Sequence, residues 1–234
     1  MAGSSSKGIQ VVSGELETSR AMTRLVIPTA ARPAWPPFVR VGETVVTRSR
    51  LFPVHFHERQ EVLTYVTEGF ASYELESGGP EELHAGSARL LYAPVRASHR
   101  ISPARGGAIR WFSLVVDAPS APSGEVRLQR GDRPSGPPFD GSPRIWTLVG
   151  TGGSMRSRTE MECREITFPE LGTTFQRVGH DRRGIVYALA GRGAVDGVDI
   201  ASGEAALIEG VAGIAIQGSI GFRSVVATMP LSDS

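Results

Sequence analysis

Short apolar runs alternate along this chain with glycine, proline, serine and aspartate, and the alternation predicts strands almost everywhere. β-Branched and aromatic residues concentrate at 41–52, 61–75, 88–94, 107–116 and 144–150. They concentrate again at 183–200, 204–210, 214–218 and 222–229. The one helical expectation is a short piece around Thr18 to Leu25. A chain built so nearly from strands folds as a sandwich or barrel, so the expected class is all-β.

Glycine and proline set the punctuation. The 28 glycines and 16 prolines leave little room for long helices. Six of the prolines fall between Pro119 and Pro143, in PSAPSGEVRLQRGDRPSGPPFDGSP. Few apolar residues accompany them, which reads as an extended connection. The expected organisation is an N-terminal domain over 1–118, a connection over 119–143 and a C-terminal domain over 144–234.

The two halves match each other. With Gly69 set over Gly191, EVLTYVTEGFASY falls on RGIVYALAGRGAV, and Tyr65 lies over Tyr187. With Gly86 set over Gly203, AGSARLLYA falls on SGEAALIEG. The pattern is that of a duplicated β-domain.

Charge narrows the partners. A net charge of +1 suggests neither nucleic acid nor an acidic surface. Lys7 is the only lysine, and the arginines are scattered rather than clustered. Cys163 is the only cysteine, so no intrachain disulfide and no thiolate cluster can form. It reads as a small buried hydrophobe. The first residues lack the apolar core of a signal peptide, and no run of about 18 apolar residues occurs. The expected location is the cytoplasm.

Candidate chemistry lies in FPVHFHERQEVLTYVTEG, residues 52–69. Alternate residues of a strand share a face, so an unbroken strand would place His55, His57 and Glu61 on one side. Imidazole and carboxylate together suit a first-row divalent metal. A third imidazole, His99, follows the strand ARLLYAP and a proline-marked turn. The duplication offers an internal comparison: His55, His57, Glu61 and His99 fall on Arg177, Gly179, Arg183 and Ile216, so every candidate ligand is absent from the second copy. His84 and His180 sit in polar turns and read as surface residues.

The same stretch resembles the first motif of the pirin family of bicupins, Phe-Pro-x-His-Pro-His followed by Glu, Val-Thr-Tyr-Val and Glu-Gly. IWTLVGTGG and GIVYALAGRGAVDGVDIASGEAALIEG resemble that family's second cupin. The resemblance implies two jelly-roll barrels, with one iron-type metal in the first and none in the second. It carries His55, His57 and His99 over as ligands. The family's remaining ligand, a glutamate two residues after the third histidine, is replaced here by Ile101. Glu61 occupies the carboxylate place of the broader cupin motif and is the candidate fourth ligand; the alternatives are a three-histidine site completed by water and a site too weak to stay loaded. Ser49 stands where that motif has glycine.

The function this implies is oxidation of a small aromatic or flavonol-like substrate with dioxygen, at Fe(II) or at Mn, Ni or Cu. Glu61, where not a ligand, is the candidate base for the substrate hydroxyl. Leu63, Tyr92 and Trp111 are candidate apolar lining. Two alternatives accompany this reading: a non-enzymatic regulator whose metal shapes a protein-binding surface, and a cupin isomerase or cyclase of specialised metabolism. A monomer is expected.

Overall fold

The computed structural model describes residues 5–6, 8–17, 21–47, 53–76, 78–104, 107–119, 124–134 and 140–231. These form strands and no helix. In chain order the first are β1 (Ser5–Ser6), β2 (Ile9–Ser13), β3 (Glu15–Glu17), β4 (Met22–Ile27), β5 (Phe38–Val46), β6 (His55–His57) and β7 (Gln60–Glu68). Next come β8 (Phe70–Leu75), β9 (Glu81–His84), β10 (Ser87–Ala93), β11 (Ala97–Pro103), β12 (Ile109–Asp117), β13 (Arg127–Asp132) and β14 (Arg144–Val149). The last are β15 (Glu162–Thr167), β16 (Gly172–Arg177), β17 (Arg182–Ala190), β18 (Arg192–Val195), β19 (Val198–Ala201), β20 (Glu204–Glu209), β21 (Gly213–Gly218) and β22 (Arg223–Pro230).

The chain divides into two compact units, one of Glu15–Arg133 and the other of Pro134–Ser234 with Met1–Gly14. The first unit pairs a seven-stranded sheet, β13-β10-β7-β12-β5-β4-β3, with a four-stranded one, β6-β11-β8-β9. The second unit repeats the plan as β1-β2-β20-β17-β22-β15-β14 and β16-β21-β18-β19. The sequence duplication is thus a duplication of topology.

The aligned glycines explain how the copies keep register. Gly69 and Gly191 have φ of 82° and 76°, and Gly86 and Gly203 have 99° and 83°. Only glycine enters this left-handed region without strain. Gly86 N–H donates to Val66 O at 2.8 Å, and Gly203 N–H donates to Ala188 O at 2.8 Å. The same turn therefore closes the same strand pair twice.

The expected domain boundaries are corrected at both ends. Arg127–Asp132 is not connecting chain: as β13 it pairs with β10 from Ser87↔Asp132 to Tyr92↔Arg127. In the other unit the corresponding place beside β20 is taken by β2, from the start of the chain. Edge-strand pairing satisfies backbone groups that local composition does not reveal. The helical expectation also fails over the described residues, where Met22–Ile27 is strand β4. Thr23 and Leu25 are buried while Met22 is exposed, the alternation of a half-covered strand. Thr23 and Thr44 hydroxyls meet at 3.2 Å across the β4–β5 pair. Thr18 to Arg20 lie outside the described residues.

The second unit is built around an apolar core. Ile166, Val186, Ile208, Ile214 and Ile216 belong to one apolar cluster with Phe168 and Phe222, whose ring centres are 5.7 Å apart. Cys163 is fully buried as expected. Among the described residues no helix is long and apolar enough to cross a membrane.

Candidate metal centre

β6 is a strand of three residues, paired to β11 with His55 opposite His99 and His57 opposite Ala97. Cross-strand neighbours on one face stand side by side, so this register gathers the three imidazoles. Ring centres are 5.1 Å apart for His57 and His99, 5.4 Å for His55 and His99, and 6.3 Å for His55 and His57. They line a cavity of about 360 Å³ with Val62, Val115 and Trp111.

Glu61 is not with them. The strand does not run unbroken from His57: a bend intervenes, and Arg59 takes φ of 53°. The break reverses the alternation. Val62 and Thr64 line the cavity, so Glu61 and Leu63 face the other side of β7. There Glu61 is fully buried, with Tyr92 and Val116 as its cross-strand partners. Tyr92 also leaves the expected lining, its hydroxyl donating to Pro119 O at 3.0 Å. Of the apolar lining expected from sequence, Trp111 alone is in the cavity.

The break delivers Gln60 instead, a residue the sequence reading missed. Its Oε1 lies 2.9 Å from His57 Nδ1. An amide oxygen only accepts, so Nδ1 carries the proton and His57 Nε2 presents a lone pair. That Nε2 is 3.2 Å from His99 Nε2. His99 Nε2–H therefore donates to it, and the buried His99 Nδ1 has no partner among the described residues. One proton is shared where two lone pairs can converge. Bonds of ~2.1 Å at tetrahedral to octahedral angles set ligating nitrogens about 3.0–3.4 Å apart, so this separation fits two ligands of one ion.

Electrostatics favours neutral rings. Burial, then the charges of His57 and Arg40, pushes His55 down to about 4. Burial, then His57 and His55, pushes His99 down to about 3. His57 is lowered mainly by burial, with Gln60 opposing and Arg40 assisting. Neutral imidazole is the ligating form.

As the rings stand, no three His, Cys, Asp or Glu side chains among the described residues converge closely enough to hold an ion. For His55, whose ring centre lies 5.4 Å from that of His99 and 6.3 Å from that of His57, to join the other two, its ring would have to turn about the side-chain torsions. A carboxylate is absent from the set, because Ile101 shares the face of His99 on β11 and is buried with Tyr73 and Trp111. With His55 so turned, the residues present would fit a divalent ion held by three imidazoles, with other coordination positions left to small molecules. His84 and His180 are exposed, their Nδ1 atoms 3.0 Å from Ala85 O and Gly210 O. Ser49 and Phe52 lie outside the described residues.

This architecture is an all-β bicupin, two cupin units in one chain. Its fold is that of the pirin-like cupins. GK1651 from Geobacillus kaustophilus superposes with a TM-score of 0.83 at 20% identity, over 100% of both chains. The bacterial pirin YhhW of Escherichia coli, solved in complex with nickel(II), gives 0.77 at 16% identity, over 95% of this chain and 99% of its own. Quercetin 2,3-dioxygenase from Acinetobacter baumannii gives 0.81 at 13% identity, over 97% and 88%. At these identities the likeness establishes the fold. No protein-family model and no curated protein matches the sequence.

Proposed function

We propose that this chain is a pirin-like, metal-dependent oxidoreductase that oxidises a small aromatic substrate with dioxygen. The observation that carries the reading is that His55, His57 and His99 line one cavity together with Trp111. The nickel-bound pirin and the quercetin dioxygenase with the same fold support it. A bound divalent metal would supply open coordination positions where substrate and dioxygen meet. His57 and His99 would hold it through Nε2, with His55 as third ligand after its turn. Gln60 fixes the tautomer of His57. Val62, Val115 and Trp111 exclude water and present a flat apolar wall. Fe(II) heads the candidate metals, with Mn, Ni and Cu sharing the ligand preference. A second reading, a non-enzymatic metal-dependent regulator, draws its support from Ile101, which removes the family's carboxylate ligand.

Metal analysis after anaerobic loading with Fe(II) tests the site. About one metal per chain is expected in the unmutated protein and in Glu61→Gln, and little in His57→Ala or His99→Ala. Metal loss in Glu61→Gln, with the fold intact by circular dichroism, would reject this ligand set. Oxygen uptake by the loaded protein with flavonols and catechols tests the chemistry, and no uptake across the panel moves the assignment to the regulator.

A further inference from the structure

One charged side chain in the cavity has no use in holding a metal. Arg40 lies on β5 opposite Val115 of β12, and both line the cavity with Thr44, Trp111 and Ser113. β5 residues of even number face inward here, which directs the guanidinium stem toward the imidazoles. Arg40 makes no ion pair or hydrogen bond to any described residue, although other arginines of this unit are paired. Arg89, for example, binds Glu81 at 2.7 Å and Arg110 approaches Glu68 at 3.4 Å. Burial works against the charge of Arg40, and the charge of Glu17 partly offsets it. A half-buried cation without an acceptor is costly unless something supplies one.

We infer that Arg40 is the recognition group for an oxyanion on the ligand, and that the cavity takes a small planar aromatic bearing a carboxylate or an ionised phenol. The guanidinium offers parallel N–H donors that match a carboxylate or a phenolate–hydroxyl edge. Thr44 and Ser113 add hydroxyls on the same wall, and Trp111 provides the face against which a ring lies. The volume sits near the lower end of ligand cavities, ~300–1,000 Å³, and favours one- or two-ring molecules over large ones. Arg40 adds a positive charge beside a site that would itself be cationic when loaded, so an anion is the species both attract. The inference deepens the proposed dioxygenase reading, yet it concerns binding alone and can be tested apart from it.

The test uses the full chain stripped of metal by chelation, so that no ligand–metal bond contributes. Tryptophan fluorescence reports binding of three probes: benzoate, its neutral isostere benzamide, and 4-nitrophenolate. At least one anion should bind tenfold or more tightly than benzamide. Arg40→Gln should remove that preference, a loss of about 10- to 100-fold for the anion with little change for benzamide. Arg40→Lys, which keeps the charge and loses the fork, should retain part of it. A preference for benzoate alone assigns a carboxylate, and one for 4-nitrophenolate alone assigns a phenolate. Equal binding of benzoate, 4-nitrophenolate and benzamide, or a preference surviving in Arg40→Gln, overturns the inference. Failure of oxygen uptake with anion preference intact would reject the dioxygenase reading and leave this one standing.

Discussion

Acid should destabilise the metal-free first unit through its histidines, and the size of the effect follows from their burial. His99 is 4% exposed and its folded pKa is about 3, against ~6.5 for an unfolded imidazole. A folded pKa below the unfolded one means that the unfolded chain takes up more protons as pH falls. Stability therefore declines from about pH 6.5 downward and stops declining only near the folded value. At pH 5 a site with these two values has lost about 2 kcal/mol relative to pH 7.5. His55 and His57 are shifted in the same direction and steepen the slope. Urea unfolding of chelated protein at pH 7.5, 6 and 5, followed by tryptophan fluorescence, measures it. His99→Gln keeps a side chain able to hydrogen-bond His57 but does not titrate. It should lose about 2 kcal/mol less than the unmutated chain between pH 7.5 and 5. If the two proteins lose stability in parallel, burial does not hold His99 neutral.

Gln60→Leu frees the His57 tautomer without touching a ligand, and should weaken metal affinity about 10- to 100-fold in chelator competition while leaving unfolding nearly unchanged. Ile101→Glu returns a carboxylate to the face of His99. It should lower the melting temperature of the metal-free protein, because a buried charge lacks a partner, and enlarge the rise in melting temperature on adding Fe(II). Gly69→Ala should cost about 2 kcal/mol or more, since φ is 82° and the new Cβ would meet Ala108 O, a loss read from urea unfolding.

Local patterning made the strands legible, and the glycines of matched turns made the duplication legible. The three histidines were also legible, because a His-x-His pair and a distant imidazole survive any error of register. Glu61 was not. Its placement depended on the strand being continuous, and the positive φ at Arg59 is adopted by a residue type with no preference for it. The same break hid Gln60, whose role appears only once the alternation is reversed. Pairing across long separations set the remaining differences. Arg127–Asp132 looks polar and turn-rich because it is an edge strand, and β4 is recognisable only from its partner β5. Arg40 gave no signal in sequence, being one of many scattered arginines until the cavity distinguished it.

The pairing of β2 with β20 constrains how this protein is made. Ile9 is opposite Ile208, so β2 precedes its sheet neighbour by the whole of the first unit and much of the second. During translation β2 has no sheet to join, and the second unit closes only after β20 has emerged. Contacts this distant in sequence form slowly. Shortening the chain at Glu15, an apparently harmless trimming, would leave β20 with a bare edge, the kind of strand that recruits other molecules. Residues 9–13 are as much a part of the second unit as anything after Pro134.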